Sequence, residues 1–196
     1  MFKNSKRLFD IMFSLSVLLL VSPILILSII LIVTTSKGPI FFFQDRLGLN
    51  EKVFSVFKLR TMTHKIRKTH VQVFDGNPEV TNVGKYLRKY TIDELPQFIN
   101  VILGDMSIVG PRPCLPNIQH LFDENTKYRF QVKPGVTSLA GIKGSIYLTW
   151  SQKWYYDKEY VLNYSFLLDV KIILKTILVV FLGEKRFLEI PNNTDI

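Results

Sequence analysis

The stretch IMFSLSVLLLVSPILILSIILIVTTS, residues 11–36, contains no charged side chain. A helix needs roughly 20 apolar residues to cross the hydrocarbon core of a bilayer, and this stretch is long enough. A cleaved signal peptide fits poorly, because its apolar part is roughly 7–15 residues long and is followed by a small-residue cleavage site. We therefore expect a permanent membrane anchor over residues 1–36, followed by one further domain over residues 37–196.

Ser22 and Pro23 interrupt the middle of this apolar stretch. Proline lacks an N–H and its ring clashes with the carbonyl one turn earlier, so we expect a kink there, with the Ser22 hydroxyl bonding a freed carbonyl. Basic residues flank both ends of the stretch: Lys3, Lys6, Arg7, Lys37 and Arg46. Because the positive-inside rule then favours neither orientation, we expect a re-entrant helix-break-helix with both ends on the cytoplasmic face. The alternative is a kinked helix that spans the membrane.

The rest of the chain predicts a small α+β domain. PIFFFQDRLG (39–48) and KVFSVFKLRTM (52–62) predict two strands around a turn at residues 48–50. VGKYLRKY (83–90) and LPQFINVILG (95–104) predict short helices, the second ending at Gly104. KPGVTSLAGIKGS (133–145) predicts a turn or loop. The fold class is therefore α+β, with the re-entrant anchor and membrane-associated helices.

A second apolar segment, YSFLLDVKIILKTILVVFL (164–182), lies near the C-terminus. Its interspersed charges favour a helix lying on the membrane surface, and a core helix of the soluble part is the alternative. Aromatic residues just before it are expected at the membrane–water interface: Trp150, Trp154, Tyr155, Tyr156 and Tyr160.

The charge balance indicates an anionic partner. Lysine and arginine outnumber aspartate and glutamate by 25 to 16, a net charge of +9. Such an excess suits nucleic acid, anionic lipid or a phosphorylated substrate.

The single cysteine, Cys114, excludes an internal disulfide. Neither a P-loop nor a G-x-G-x-x-G pattern is present, so a phosphate site would need separate cations.

Two adjacent acids, Asp93 and Glu94, open the block TIDELPQFINVILGDMSIVGPRP (91–113). Thr91-x-x-Glu94 matches a capping box with Pro96 in the first turn, so helix capping is one interpretation. The other interpretation is catalysis. A carboxylate at a helix start is expected to stay ionised, and an ionised carboxylate can attack phosphorus when cations neutralise the phosphate.

Separate cations bracket the acid pair and are candidate phosphate ligands: Lys58, Arg60, Arg88 and Arg112. Arginine matches phosphate oxygens with a planar fork, and the prolines beside Arg112 restrict its backbone. Mg²⁺ is also plausible, because it takes carboxylates together with phosphate oxygens, and Asp93, Glu94 or Asp105 could supply them.

Taken together, these motifs resemble the bacterial sugar transferases known as small monotopic phosphoglycosyl transferases, which are polyprenyl-phosphate sugar-phosphate transferases. The resemblance runs nearly end to end. The motifs that carry it are KRLFD, the Ser22–Pro23 pair, GPIFFFQDRLG, VFKLRTM, TIDELPQFINVILGDMSIVGPRP, KPGVT and YVLNYSFLLDVKIILKT.

The resemblance implies Mg²⁺-dependent transfer of a phosphosugar from a UDP-sugar to polyprenyl (undecaprenyl) phosphate, giving polyprenyl-diphosphate-sugar and UMP. This would be the first membrane step of bacterial glycan synthesis, at the cytoplasmic face of the inner membrane. By the same resemblance, Asp93 is the nucleophile that forms a covalent phosphosugar intermediate, and Glu94 binds metal or positions or deprotonates the acceptor. Phosphate-binding positions are implied for Lys58, Arg88 and Arg112, and Arg129 matches the arginine before the family's PG turn.

The loop PGVTSLAGIKGS (134–145) departs from the family's usual pattern, in which a glycine stands at Ser138 and an arginine at Ser145. This loop is expected to help hold the nucleotide or the sugar, so the departure bears on the donor. The partners implied by the resemblance are a UDP-sugar, polyprenyl phosphate and membrane lipid, and not nucleic acid. The alternative to an enzyme is a non-catalytic, membrane-anchored basic protein that binds anionic lipid or nucleic acid.

Overall fold

The computed structural model describes residues 2–64 and 77–191. The described part combines a long N-terminal helix with two small sheets and a set of shorter helices. The strands are β1 (Phe41–Leu47), β2 (Val53–Leu59), β3 (Ser107–Val109) and β4 (Gly135–Thr137). The α-helices are α1 (Phe2–Thr35), α2 (Asn82–Lys89), α3 (Gln97–Leu103), α4 (Thr126–Arg129), α5 (Leu139–Ile142), α6 (Trp150–Asn163) and α7 (Phe166–Leu182). Short 3₁₀ turns cover Leu49–Glu51, Ile92–Glu94, Pro116–Leu121, Ser145–Tyr147 and Glu184–Phe187. The α+β class is confirmed.

The predicted hairpin is confirmed. β1 and β2 pair antiparallel, and Phe42 lies opposite Lys58 in the register. Because side chains alternate along a strand and directly opposed residues share a face, Phe42, Gln44 and Arg46 lie on the same face as Lys58. This face of the hairpin forms one wall of the cavity described below.

The two predicted short helices are confirmed. α2 begins after Thr81, whose side chain accepts a hydrogen bond from the Gly84 amide. α3 ends at Gly104, whose backbone is left-handed with φ of 101°. Glycine adopts this conformation without the steric cost that other residues meet, which is why the helix ends there.

A short parallel pairing of β3 with β4 holds the backbone that leads into the Pro111–Pro113 segment. Ser107 pairs with Gly135, and Val109 pairs with Thr137. The chains approach closely, since a Cβ on Gly135 would lie 2.1 Å from the Gly110 nitrogen. The pairing therefore sets the position of Arg112, two residues after Gly110.

Both ends of α1 bind the rest of the chain. Near its start, Lys6 donates to Asp169 at 2.6 Å and Asp10 accepts from the Ser107 hydroxyl at 2.8 Å. Near its end, Ile32 is buried in a cluster with Leu59 and Leu87. The middle of the helix is open to the surroundings, with Leu19 and Leu20 exposed by 78% and 80%.

α1 is long and apolar enough to cross a membrane. It continues as one helix through Pro23, so a helix-break-helix is not confirmed and the re-entrant course stays a prediction. The predicted role of Ser22 is confirmed, because its hydroxyl donates to the Leu19 carbonyl at 2.8 Å. In an uninterrupted helix, the N–H of residue 23 would donate to this Leu19 carbonyl, but proline has no N–H.

One side of α7 is buried in the core, and another side exposes apolar side chains. Ile172 and Val179 are buried in the main core, whereas Leu167 and Phe181 on another side are exposed by 80% and 77%. The prediction of interfacial aromatic residues on α6 is wrong for three of the five, because they are buried: Trp154, Tyr156 and Tyr160. Trp154 packs in a cluster with Leu47, Cys114 and Phe130, whereas Tyr156 and Tyr160 belong to the main core.

Candidate active site

The acid pair lies on the 3₁₀ turn Ile92–Glu94, ahead of α3. The predicted capping box is wrong. Thr91 has left-handed backbone with φ of 56° and makes no side-chain cap hydrogen bond. The reason is tertiary, because the Glu94 side chain bonds to cations from other elements instead of returning to the Thr91 amide.

Two of the predicted phosphate ligands meet at one oxygen of Glu94. Lys58 Nζ, from β2, lies 2.7 Å from Glu94 Oε1, and Arg112 Nη2 lies 2.6 Å from the same oxygen. The Lys58 and Glu94 side chains are largely buried, whereas the Arg112 side chain is 55% exposed. Glu94 thus holds two cations in fixed positions, and Arg112 still has an open side that a ligand could reach.

The two carboxyl groups have opposite pKa shifts. Burial alone raises the pKa of Glu94, but Arg112 and Lys58 together outweigh it and hold the pKa well below its ordinary value. For Asp93, burial and then the charge of Glu94 raise the pKa from 3.8 to about 6, against the opposing effect of Lys58 and Arg88. The sequence had predicted a carboxylate stabilised by a helix start. The helix-start explanation does not hold, because Asp93 is buried and α3 begins only at Gln97, so the pKa is raised; at about 6 it still leaves Asp93 mostly ionised at neutral pH, as expected.

No side chain in residues 2–64 and 77–191 forms an ion pair with Asp93. Its neighbour Arg88 donates instead from Nε to the Thr61 hydroxyl at 2.9 Å. This bond fixes Arg88 at the same cavity as Asp93. A buried carboxyl group with a raised pKa close to cations is the arrangement expected of a reactive group.

A cavity of about 500 Å³ brings most of the predicted site together. It is lined by six cations, Arg46, Lys58, Arg88, Arg112, Arg129 and Lys153, and by three carboxylates, Asp93, Glu94 and Asp157. The excess of cations suits a ligand with several negative charges, such as a diphosphate. Cys114 also lines the cavity and is buried as a free thiol.

Arg129 is brought to this cavity, and its guanidinium makes several contacts within the protein, although its buried Nη1 has no hydrogen-bond partner among the described residues. It donates to the Arg112 backbone carbonyl, lies 3.3 Å from Asp157, and stacks 4.3 Å from the Trp154 ring centroid. Arg129 is buried, and its contacts fix the backbone that carries Arg112. Its geometry therefore favours positioning over direct contact with phosphate.

Arg60 is the predicted ligand that is not brought to the cavity. Its Nη2 donates to the Ser36 carbonyl at 2.8 Å, and its Nη1 donates to the Lys37 carbonyl. The side chain is buried at the exit of α1. Arg60 follows the last residue of β2, and its bonds to the exit of α1 hold it there rather than beside the acid pair.

Sequence reasoning missed Arg46, Asp157 and Trp154 as parts of this site. Arg46 donates to the Pro113 carbonyl at 3.1 Å and so supports the same segment as Arg129. Strand alternation with Lys58 could have located Arg46. Asp157 and Trp154 had no local signal, because α6 meets Arg129 only in the folded chain.

The loop 134–145, which departs from the family's usual pattern, also lines the cavity. It is more regular than predicted, since it contains β4, α5 and the turn Ser145–Tyr147. The Ser138 hydroxyl accepts from the Gly141 amide at 2.9 Å and so begins α5. The residues of the loop that face the cavity are Ser138, Ala140, Gly141 and Ser145, and Ile146 directly after it also lines the cavity.

The acid pair fits a divalent cation only together with a ligand. In the ranges that the structure describes, no three His, Cys, Asp or Glu side chains are grouped to hold a metal. Mg²⁺ often takes one or two carboxylates and completes its shell with water and substrate phosphate. Asp93 fits this role, because a nearby cation would offset the burial that raises its pKa. Asp105, the third candidate, is exposed and is not among the residues lining the cavity.

Comparison with known families agrees with this site. A profile of the family described as "Bacterial sugar transferase" matches residues 1–183, and the chain belongs to this family.

Individual relatives carry more specific names. The chain is 40% identical to "Uncharacterized sugar transferase EpsL" of Bacillus subtilis (strain 168), over 91% of this chain and 88% of that protein. It is 39% identical to "UDP-glucose:undecaprenyl-phosphate glucose-1-phosphate transferase" of Klebsiella pneumoniae, over 93% of this chain but 41% of that enzyme. It is 35% identical to "Exopolysaccharide production protein ExoY" of Sinorhizobium fredii (strain NBRC 101917 / NGR234), over 93% of this chain and 88% of that protein.

Proposed function

We propose that this protein transfers a phosphosugar from a UDP-sugar to polyprenyl phosphate and releases UMP. The observation that carries the proposal is Asp93, a buried carboxyl group with a raised pKa beside cations in a cavity large enough for a nucleotide sugar. The name of the Klebsiella relative describes a reaction of this class. A polyprenyl phosphate acceptor also suits a chain with a helix long and apolar enough to enter a membrane.

The reaction proceeds in two displacements at one phosphorus atom. In the first, an oxygen of the ionised Asp93 carboxylate bonds to the β-phosphorus, and the bond to the bridging oxygen breaks so that its electron pair leaves with UMP. In the second, a phosphate oxygen of polyprenyl phosphate bonds to that phosphorus and the Asp93 carboxylate leaves. A pKa of about 6 keeps most of the carboxyl ionised at neutral pH while making it more basic than an ordinary aspartate.

Glu94 holds the cations that neutralise phosphate. Because its pKa is held well below the ordinary value, it is a weak base and is poorly suited to deprotonate an acceptor. Its bonds to Lys58 and Arg112 orient two cations toward the place where charge develops. Of the roles that the resemblance left open for Glu94, positioning and metal binding fit this geometry.

Mg²⁺ is the proposed cofactor, with Asp93 and Glu94 as its protein ligands and substrate phosphate completing its shell. When bound it would neutralise part of the charge on the diphosphate. Excess chelator is expected to stop transfer, and added Mg²⁺ is expected to restore it. Transfer at an undiminished rate in excess chelator would contradict this prediction. The control is thermal unfolding with chelator, which should leave the apo protein folded.

The contacts of α1 support the re-entrant course, and the basic residues at both ends of the apolar segment favour the cytoplasmic face for the catalytic part. A helix that crosses the bilayer places its two ends about 30 Å apart on opposite sides. In this chain Asp10 is bonded to Ser107, and the carbonyls of Ser36 and Lys37 are bonded to Arg60, so both ends contact the same folded part. A spanning helix would require that part to lie on both sides of the membrane.

Cysteine labelling tests this course in cells. A cysteine at Ser5 and another at Lys37, each in a variant with Cys114→Ser, should both react with an impermeant maleimide only when the cytoplasmic side is opened. Labelling of one position from outside intact cells would establish a spanning helix instead. A cysteine at the exposed Glu124 serves as the cytoplasmic control.

Intact-protein mass tests the reaction itself. The detergent-solubilised chain is incubated with Mg²⁺ and each of a panel of UDP-sugars, without polyprenyl phosphate. We expect the mass to rise by one phosphosugar with the correct donor, and the added mass to disappear when polyprenyl phosphate is supplied. Absence of an adduct with every donor, together with absence of product, would reject the proposed function and favour the non-catalytic basic protein.

A further inference from the structure

A C-terminal segment, residues 183–191, packs against the loop that lines the cavity, and we call it the strap. Residues 184–191 lie beyond the part matched by the family profile, which ends at residue 183. The strap is joined to the main core by Phe187, which packs against that cluster of buried side chains.

Glu189 connects the strap to three helical elements. Its amide donates to the Lys143 carbonyl at 2.8 Å, and its carbonyl accepts from the Tyr156 hydroxyl at 2.7 Å. Its carboxylate accepts from Lys143 Nζ and, at 3.2 Å, from Lys175 Nζ. The hydrogen bond from Lys143 lowers the pKa of Glu189, which keeps the carboxylate ionised at neutral pH.

Leu188 fixes the strap at the turn between α5 and Ser145–Tyr147. Gly144 has φ of 129°, and a Cβ added to it would lie 2.5 Å from the Leu188 Cδ1 atom. The strap therefore packs directly on the backbone of this turn and leaves no room for a side chain there.

Neighbouring residues of the same loop face the cavity. Gly141, Ser145 and Ile146 line it, whereas Lys143 and Gly144 contact the strap instead. The loop from Ser138 to Ile146 thus has the cavity on one side and the strap on the other. Its placement relative to a ligand depends on contacts made by residues 188 and 189.

We propose that the strap positions this loop against the UDP-sugar, with Glu189 as the positioning residue, and so sets affinity and selectivity for the donor. The inference rests on the proposed function, because it assigns the loop's side of the cavity to the sugar-nucleotide rather than to the polyprenyl phosphate. Glu189 acts through the loop and not on the reacting atoms, since it lies outside the cavity lining.

The test is charge reversal, Glu189→Lys, in the full-length protein. The new lysine would repel Lys143 and Lys175, so the strap should separate from the loop. We expect the KM for the UDP-sugar to rise roughly three- to tenfold, as for the loss of a few exposed ionic contacts, while kcat and the KM for polyprenyl phosphate stay within about twofold. Discrimination between the best donor and its epimer should fall.

The matched control is Glu124→Lys, which makes the same charge change at an exposed residue away from the cavity. Added positive charge by itself would favour an anionic donor and lower its KM, which is opposite in sign to the expected result. Glu189→Gln should give an intermediate effect, because the backbone bonds of residue 189 remain.

Amide hydrogen exchange, measured without substrate, is a second test of the strap that does not depend on enzyme activity. Amides of residues 139–147 should exchange faster in Glu189→Lys than in the wild type and in Glu124→Lys. Unchanged loop exchange, an unchanged donor KM, or an equal loss for both substrates and kcat would overturn the inference. A wild-type protein that forms no adduct would reject the proposed function, and the exchange comparison would still decide whether the strap holds the loop.

Discussion

Replacing Asp93 with asparagine should abolish transfer, with a loss of at least about a thousandfold in kcat, because an amide cannot serve as the attacking carboxylate. The change is nearly isosteric, and Asp93 forms no ion pair within the described residues, so it leaves the cations in place. The measurement is product formation from the UDP-sugar and polyprenyl phosphate, together with intact mass for the covalent adduct. Transfer at a near-normal rate, or an adduct on the Asp93→Asn protein, would remove Asp93 from the role of nucleophile.

The same substitution should leave the protein more stable, which separates lost chemistry from lost fold. Folding raises the pKa of Asp93 from 3.8 to about 6, so the folded state holds this proton more tightly than the unfolded state. That contribution to stability is present below pH 3.8 and is lost as the pH rises through about 6. At neutral pH the buried carboxylate should therefore cost about 1–3 kcal/mol, which Asp93→Asn recovers.

Thermal unfolding at two pH values checks whether Asp93→Asn raises the stability of the protein. At pH 7.5 the Tm of Asp93→Asn should exceed that of the wild type, and near pH 4 the two should converge. A lower Tm at pH 7.5 would mean that the carboxylate is stabilised in the fold, and the account of its burial would be wrong. In the wild type, the rate of adduct formation should also fall below about pH 6, as Asp93 becomes protonated.

Glu94→Gln should have the opposite effect on stability and a large effect on activity. Removing one partner of a buried ion pair commonly costs about 3–5 kcal/mol, and the exposed side of Arg112 reduces this to about 2–3 kcal/mol here. Because Lys58 and Arg112 lose their common oxygen, we expect kcat to fall roughly a hundredfold, as for the loss of one oriented electrostatic contact. The measurements are Tm at pH 7.5 and kcat at saturating donor.

The control for Glu94→Gln is Glu124→Gln, which removes the same charge from an exposed position. The stability contributed by Glu94 is present at neutral pH and is lost only as the pH falls through its depressed folded-state pKa. The Tm difference should therefore hold from pH 7.5 down to pH 5. An unchanged Tm and kcat would show that Glu94 does not organise the cations. The two acids should therefore differ in their effect on stability, since Asp93→Asn is expected to stabilise the protein and Glu94→Gln to destabilise it.

Local patterns predicted the elements around the site. Two aromatic-rich runs around a turn at residues 48–50 predicted β1 and β2, and Gly104 predicted the end of α3, because these signals depend on residues close in the chain. The same type of reasoning failed for Thr91-x-x-Glu94. A capping box is a local alternative for the Glu94 carboxylate, and two ion pairs with Lys58 and Arg112 replace it in the folded protein.

The sequence by itself was enough to predict the long apolar helix and the short elements and to propose Asp93 and Glu94 as the reactive pair, because apolar length, turn residues and a long ordered motif are properties of the chain itself. Only the tertiary structure decided which cations face the acids. It turned Arg60 to the exit of α1, buried Trp154 beneath Arg129, and brought Arg46 to the segment that carries Arg112. It also decided the pKa of Asp93, because desolvation and the distances between charges exist only once distant segments have packed together.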